Sequence, residues 1–250
     1  MHWLLLSAAA LVGGAVNAIA GGGMLVVFPA MIGSGMTPLM ANATSTAALI
    51  PGSASAVWGY KQPLKEVRTW AMDAILPSIV GGALGAVLLW LTPAPVFKKF
   101  VPLLVLAATL LFVFQGQLGR TLAKVKAVSL TTPLTRQLVQ FVIAIYWGYF
   151  GAGAGIFMMA IWAIAGLTNI HQLNALKMWS AVWTNVTAAV IFGIVGLVDW
   201  RVAGAVAIAS SIGGFGLARF AQRLPHGVVR GCVSAVGFVS SVWLAVEALR

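Results

Sequence analysis

Two sets of polar side chains recur at the same spacing in the two halves of this 250-residue sequence. They are Asn42, Ser45 and Ser53 in the first half, and Asn174, Lys177 and Asn185 in the second. Positions i, i+3 and i+11 fall on one face of an α-helix, because each residue turns by about 100°. We therefore expect two related helices that turn amide and hydroxyl groups, and one ammonium, toward each other or toward a shared cavity.

Lys177 lies away from the ends of a long apolar run. An ionisable side chain in such a position is expensive and usually functional, and its positive charge would attract an anion. The alternative is that Lys177 extends to the near interface or pairs with a carbonyl group.

Two glycine clusters interrupt apolar sequence. The first is Gly21 to Gly23 in "IAGGGMLVVFPA", and the second is Gly151 to Gly155, "GAGAG". Glycine gives the backbone freedom without side-chain bulk. A helix that restarts after such a break has free N–H groups with partial positive charge, which suit an anion. The alternative is close helix packing on small residues; Gly81, Gly82 and Gly85 lie within an uninterrupted run and fit it.

The composition is that of a polytopic membrane protein. Hydrophobic residues make up 61% of the chain and charged residues 8%, and the mean hydropathy is +1.00. The net charge of +11 comes from Lys and Arg placed between apolar runs, which is how basic residues orient membrane helices. Nucleic acid is not an expected partner, since the basic residues form no single water-facing surface.

A membrane-spanning helix needs about 20 apolar residues. Six runs approach this length: Leu39 to Tyr60, Trp70 to Leu91, Val96 to Phe114, Gln172 to Gly196, Val202 to Phe220 and Val228 to Ala248. Two further stretches, Trp3 to Gly33 and Leu138 to Gly166, are too long for one straight span and contain the glycine clusters. We treat the first run as retained in the protein, since it lacks the basic start of a signal peptide.

The broken stretches begin matching halves at an offset of about 132 residues. Asn42 matches Asn174, and "LTP" at 91–93 matches "RLP" at 223–225. We predict an internal repeat with a first membrane repeat over 1–115, a basic connecting loop over 116–137 and a second membrane repeat over 138–250.

Basic residues favour antiparallel halves. If each broken unit is a re-entrant hairpin followed by three transmembrane helices, one side of the membrane receives ten basic residues: Lys61, Lys65, Arg68, Arg120, Lys124, Lys126, Arg136, Arg219, Arg223 and Arg230. The other side receives four: Lys98, Lys99, Arg201 and Arg250. A parallel arrangement splits them nine to five, and the positive-inside rule prefers the sharper split. The predicted fold is therefore all-α, with two inverted repeats.

Single residues add less. Asp73 lies in the first turns of its run, where an acid complements the helix dipole. Asn17 precedes the first glycine cluster and either faces the cavity or satisfies the helix break. Cys232 is the one cysteine, which excludes an internal disulfide and a cysteine zinc cluster, and we interpret it as inert packing.

The segment "AGGGMLVVFPAMIGSGMTPLMANATSTAALIPGSASAVWGYKQPL" at 20–64 resembles the opening of the sulfite exporter TauE/SafE family. The segment "GYFGAGAGIFMM" and the later "GLVDW" loop resemble that family's second repeat. The likeness spans nearly the whole chain. It implies a multi-pass transporter of the cytoplasmic (inner) membrane for small sulfur-containing anions: sulfite, sulfoacetate or other organosulfonates.

By position, the resemblance places the family's glycine-rich openings on the two glycine clusters and its polar helices on 42–46 and 174–177. The residues that we assign to substrate binding are Gly21, Gly22, Gly23, Asn42, Thr44, Ser45, Ser53, Gly151, Gly153, Gly155, Asn174, Lys177 and Asn185. The "GAGAG" cluster departs from the three consecutive glycines of the first half.

The leading hypothesis is a secondary transporter, an exporter, whose two halves alternately open a shared anion site. No cofactor or metal is expected, and "GAGAGIF" lacks the Lys-Ser/Thr of a phosphate loop; a proton or sodium ion is a candidate coupling partner. The alternatives are an uptake symporter or channel for a small organic anion, an intramembrane enzyme using Ser34 and His171, and a structural membrane subunit.

Overall fold

The computed structural model describes residues 3–20, 22–122, 132–214 and 226–249, and the regular structure of these residues is helical. Twelve helices lie in the described ranges: α1 Trp3–Ala20, α2 Met24–Gly33, α3 Pro38–Ala48, α4 Ile50–Gly59, α5 Lys61–Glu66, α6 Arg68–Leu91, α7 Ala94–Leu122, α8 Pro133–Tyr149, α9 Ala154–Ile164, α10 Ile170–Ile194, α11 Trp200–Ile212 and α12 His226–Leu249.

Both over-long stretches are broken at their glycine clusters, as the sequence predicted. Helix α1 ends before Gly21 to Gly23, and α2 follows them. Helix α8 ends before Gly151 to Gly155, and α9 begins within that cluster, at Ala154. Gly151 and Gly153 have φ angles of +80° and +76°, which residues with a side chain rarely adopt. The second break therefore depends on glycine.

The order of helices repeats along the chain. In the first half the order is α1, α2, the pair α3 and α4, α6 and α7. In the second half the corresponding helices are α8, α9, α10, α11 and α12. Three pairs of equivalent helices begin 132 residues apart: Pro38 and Ile170, Arg68 and Trp200, Ala94 and His226. In both halves a left-handed glycine, Gly35 or Gly166, and a side-chain cap, Thr37 or Asn169, precede the long central helix.

The central helix of the first half is kinked. The apolar run Leu39 to Tyr60, which was predicted as one of the six spans, is divided between two helices, since α3 ends at Ala48 and α4 begins at Ile50. Pro51 has no N–H to donate to the C=O of Ala47, and its ring disturbs the preceding turn. The equivalent position in α10 is Trp183, and α10 continues without a break.

Three described helices are long and apolar enough to cross a membrane, by length and composition: Arg68–Leu91, Ala94–Gln115 and Gly231–Ala248. They correspond to three of the six predicted spans. Helix α7 continues to Leu122 and α8 begins at Pro133, so both helices enter the range 116–137 that the sequence analysis gave to a connecting loop. Residues 123–131 lie outside the described residues.

The two halves pack on each other reciprocally. Helix α6 of the first half lies along α8 of the second, and α11 of the second half lies along α1 of the first. In the same way α7 contacts α9, and α12 contacts α2. Helix α10 packs against α3, α4 and α6 at the centre of the molecule. The contacts of α6 with α8 and of α7 with α9 therefore each have a counterpart with the roles of the halves exchanged.

Small residues bring α6 and α8 together along what we name the α6/α8 seam: Gly81, Gly82 and Gly85 of α6 against Ala144, Ile145 and Gly148 of α8. A Cβ at Gly85 would overlap the carbonyl oxygen of Ile145 and lie 2.7 Å from the Tyr149 nitrogen. The packing interpretation of these glycines is confirmed. Gly14 and Gly213 bring the backbones of the α1 and α11 segments equally close, and we name this contact the α1/α11 seam.

Asp73 links the halves at one end of the α6/α8 seam. Its carboxylate accepts hydrogen bonds from Nε and Nη2 of Arg136 at 2.9 Å and 2.6 Å, and the guanidinium also lies over the ring of Trp70. Asp73 is the sixth residue of α6, beyond the first turn. The expectation that it complements the helix dipole is therefore wrong; its partner is a basic residue 63 positions away.

We predict that Gly85→Ala lowers the thermal unfolding temperature of the purified protein in detergent, because the added Cβ overpacks the α6/α8 seam. Overpacking a close contact typically costs about 1–3 kcal/mol. The matched control is Gly204→Ala in α11, where a Cβ would meet no atom within 4 Å and alanine favours the helix. Equal unfolding temperatures for Gly85→Ala and the unchanged protein would contradict the close packing.

Candidate functional site

A small cavity lies between the halves, where the second helix break meets α10 and the α3/α4 kink. Its volume is about 40 Å³, which leaves room for a small anion. The lining residues are Asn17, Met24, Thr46, Leu49, Ser53, Trp147, Gly151, Gly155, Lys177, Met178, Ala181 and Asn185. Lys177 is the one charged residue among them.

Lys177 is held at the cavity by a neighbour on its own helix. Its side chain is 2% exposed, and Nζ donates a hydrogen bond of 2.8 Å to Oδ1 of Asn174. The Nδ2 group of Asn174 in turn donates to the C=O of Ile170, which fixes the oxygen toward the ammonium. The ammonium has three N–H donors, so at least one is free for a ligand after the bond to Asn174.

Gly155 makes room for the stem of Lys177. A Cβ at this position would lie 2.9 Å from Cδ and 3.1 Å from Cγ of Lys177. The sequence therefore uses this glycine for side-chain packing as well as for the helix break.

The first turn of α9 adds a backbone donor. The Ile156 N–H bonds to the C=O of Gly153, whereas the Gly155 N–H has no acceptor among the described residues. An unpaired N–H at a helix start carries partial positive charge. Gly155 and Lys177 both line the cavity, so the partial positive charge of the α9 start lies at the same cavity as Lys177.

Two amide side chains complete the polar lining. Asn185 is 7% exposed, lines the cavity and makes no hydrogen bond to another described residue. Asn17 lines the cavity from α1, so of the two interpretations of Asn17 the structure favours the one in which it faces the cavity. Neither amide has a hydrogen-bond partner within the described ranges, so both can donate to a bound molecule.

The hydroxyl groups contribute less. Thr46 Oγ1 donates to the C=O of Asn42 at 2.9 Å, and Ser53 Oγ donates to the C=O of Leu49 at 3.1 Å. Because their hydrogens are used within their own helix, both hydroxyls offer lone pairs rather than donors to the cavity.

The structure brings together five of the thirteen residues assigned to substrate binding: Ser53, Gly151, Gly155, Lys177 and Asn185. Asn174 acts behind the lining, through Lys177. Gly22 and Gly153 pack against Phe112 and Ala108 of α7, and Gly23 packs against Asn17. Gly21 lies outside the described residues.

Three polar residues of α3 have partners elsewhere. Asn42 Nδ2 donates to the C=O of Tyr149, Ser45 Oγ contacts Sδ of Met31, and Thr44 Oγ1 accepts the N–H of Asp199 at 3.1 Å. None of the three lines the cavity.

Sequence reasoning missed the apolar part of the lining: Met24, Leu49, Trp147, Met178 and Ala181. Apolar residues in an apolar helix give no signal that they face a cavity rather than a neighbouring helix. Trp147 lies four residues before Gly151, and Met178 directly follows Lys177. Because Gly151 and Lys177 were assigned to substrate binding, this proximity in sequence could have pointed to their neighbours.

No group of three or more His, Cys, Asp or Glu side chains that could hold a metal ion occurs in the described part of the chain.

The family model described as "Sulfite exporter TauE/SafE" matches residues 6–244. A probable membrane transporter protein, ORF9, of Sinorhizobium sp is 29% identical over 241 residues, which cover 96% of this chain and 90% of the relative. A probable membrane transporter protein of Haemophilus influenzae is 31% identical over 228 residues, 90% and 87% of the two chains. The probable membrane transporter protein YfcA of Escherichia coli K12 is 28% identical over 217 residues, 86% and 77% of the two chains. No solved structure matches.

We predict strong coupling between Asn174 and Lys177. Asn174→Ala should lower the free energy of unfolding by about 1–3 kcal/mol, because it leaves a buried ammonium without its acceptor. In a Lys177→Met background the same substitution should have little effect, because no ammonium remains. Chemical denaturation of the four proteins of this double-mutant cycle measures the coupling. An Asn174→Ala effect of equal size in both backgrounds would contradict the interaction.

Proposed function

Because this chain belongs to the sulfite exporter TauE/SafE family, and is a membrane protein like the transporters it resembles, we propose that it is a secondary transporter of small sulfur-containing anions. The substrates are sulfite, sulfoacetate or other organosulfonates, which the protein exports across the cytoplasmic membrane. It crosses that membrane several times. The site is the cavity between the halves, and the carrying observation is the buried ammonium of Lys177 at its wall.

The chemistry of the lining favours an oxyanion. The polar residues that line the cavity include Lys177, Asn17 and Asn185, and Gly155 adds a backbone N–H. An anion with several oxygens can accept from all of these donors, and hydrogen bonds to charged groups are about twice as strong as neutral ones. No Asp or Glu lines the cavity, so nothing in its wall repels an anion.

The proposed mechanism is alternating access by two inverted halves. Two hydrogen bonds support the inversion. Gln172 near the start of α10 donates to Glu66 at the end of α5, just before α6; the Asp199 N–H at the start of α11 donates to Thr44 in α3. If each half crossed the membrane four times, the starts of α10 and α6 would lie on opposite faces. Re-entrant broken units and inverted halves bring them together.

The parallel course of α6 and α10 supports the same arrangement. Trp179 Nε1 donates to the C=O of Ala71 near the start of α6, and Thr184, further along α10, packs on Gly82, further along α6. Inverted halves require these two helices to run in the same direction, whereas parallel halves require opposite directions.

We predict that Lys177→Met lowers saturable sulfite efflux from liposomes by about tenfold or more, because a hydrogen bond to a charged group contributes about 1.5–3 kcal/mol and 1.4 kcal/mol is a factor of ten. Lys177→Arg should retain part of the flux. The control is Lys99→Met, which removes an exposed charge from α7.

The unfolding temperature of each variant checks that it is folded. Equal flux in folded Lys177→Met and the unchanged protein would remove Lys177 from the site. Flux of a sulfonate but not of sulfite would keep the site and change the substrate. A gradient-independent, non-saturable flux would favour a channel.

We also predict the sidedness of three surface positions. In a Cys232→Ser background, Arg201→Cys should react with a membrane-impermeant thiol reagent from the same side as Lys98→Cys and from the side opposite to Lys65→Cys. Parallel halves place Arg201 with Lys65 instead. Labelling in sealed cells and in inverted vesicles distinguishes the two, and Lys98 and Lys65 serve as controls because both arrangements place them on opposite sides.

A further inference from the structure

Asn42 carries a buried oxygen with no partner in the part of the chain that the structure describes. Its side chain is 0% exposed, and Nδ2 donates to the C=O of Tyr149 at 3.0 Å, which fixes the orientation of the amide. Its Oδ1 atom receives no hydrogen bond from any described residue. Buried amide oxygens in folded proteins nearly always have a partner, so we expect a bound ion or molecule to supply one.

The equivalent oxygen of the second half holds a cation. Asn174 lies 132 residues after Asn42, and its Oδ1 accepts the Lys177 ammonium at 2.8 Å. The residue equivalent to Lys177 is Ser45, whose hydroxyl contacts the sulfur of Met31. The first half therefore keeps the acceptor and has no ammonium to fill it.

The end of α8 leaves several carbonyl oxygens without a backbone partner, and one of them, on Tyr149, meets the Asn42 amide. The N–H groups of Phe150 and Gly151 both bond to the C=O of Tyr146, and the Ala154 N–H bonds to the C=O of Gly151. The carbonyls of 147–150 consequently accept no backbone hydrogen bond from the described residues. The C-terminal end of a helix carries partial negative charge, and the Tyr149 carbonyl that meets Asn42 has a second lone pair.

We infer that Asn42 Oδ1, together with free carbonyl oxygens at the C-terminal end of α8, binds a monovalent alkali cation, with Na⁺ as the ion. Neutral carbonyl oxygens suit such an ion, and broken-helix carbonyls bind it in transporters. A divalent ion would need carboxylates, and the chain's four acidic residues include none that bonds to Asn42. The inference rests on the proposed function, because it adds a cation site beside the cavity that is proposed for the anion.

The cation site adjoins the anion cavity. Gly151, two residues after Tyr149, lines that cavity, and so does Thr46, whose hydroxyl bonds to the backbone C=O of Asn42. A cation at Asn42 and an anion beside Lys177 would attract each other through a poorly hydrated interior, where charges interact more strongly than in water. Binding of one therefore favours binding of the other.

The test is equilibrium binding of radioactive Na⁺ to the purified full-length chain in lipid nanodiscs. We expect saturable binding that unlabelled Na⁺ displaces and choline does not. Asn42→Ala should bind about tenfold more weakly or worse. The matched control is Gln140→Ala, which removes another buried amide, one that bonds to Ser78 of α6 and does not line the anion cavity, and should leave Na⁺ binding unchanged.

A second measurement guards against misfolding of Asn42→Ala, which also loses its bond to Tyr149. The unchanged protein should unfold at a higher temperature in NaCl than in choline chloride of equal ionic strength, because a ligand that binds only the folded state stabilises it. Absence of saturable Na⁺ binding together with identical unfolding temperatures would overturn the inference, and a buried water would then fill the space. Na⁺ binding that survives in Asn42→Ala would also overturn it.

Failure of the cation site and failure of the proposed function can be told apart. Sulfite flux that is independent of Na⁺, with no Na⁺ binding, overturns the cation site and leaves the transporter in place. Na⁺ binding that depends on Asn42, without flux of any sulfur-containing anion, supports the cation site and overturns the proposed substrate.

Discussion

The requirement that buried backbone groups find partners shapes the centre of this protein. In hydrocarbon an unpaired N–H or C=O is costly, so non-helical backbone survives only where protein covers it or where it lines a cavity. The chain breaks two helices in its interior, and each break leaves free ends. The free C=O end of α8 meets the amide of Asn42, and the free N–H end of α9 meets the cavity wall beside Lys177. The packing of the remaining helices encloses these ends.

Much of this arrangement could be predicted from the sequence because it depends on local signals. Apolar runs too long for one span, each containing a glycine cluster, predict the breaks, and an offset of about 132 residues predicts the repeated order of helices. Helical periodicity placed Lys177, Asn185 and Ser53 on faces that meet at the cavity. These inferences need only the geometry of single helices.

The rest depends on tertiary contacts. Periodicity fixes the face of a helix but not the depth of a residue along it, and Asn42 and Ser45 lie at a depth where the C-terminal end of α8 and Met31 meet them. Asp73 and Arg136 are brought together by packing between halves, which no local pattern reveals. Pro51 is different, because a proline within an apolar run is a local signal for a kink. The length of the run alone predicts one continuous span.

The ion pair of Asp73 and Arg136 makes the α6/α8 seam and the α1/α11 seam energetically unequal. It lies in the α6/α8 seam, largely withdrawn from water, with 13% and 21% of the Arg136 and Asp73 side chains exposed. The reciprocal α1/α11 seam has no such bond to α1, because no residue from Trp3 to Ala20 is charged. Separating α6 from α8 breaks an attraction that separating α1 from α11 does not. The two seams therefore differ in the interactions that hold their helices together, although small residues bring the backbones close in both.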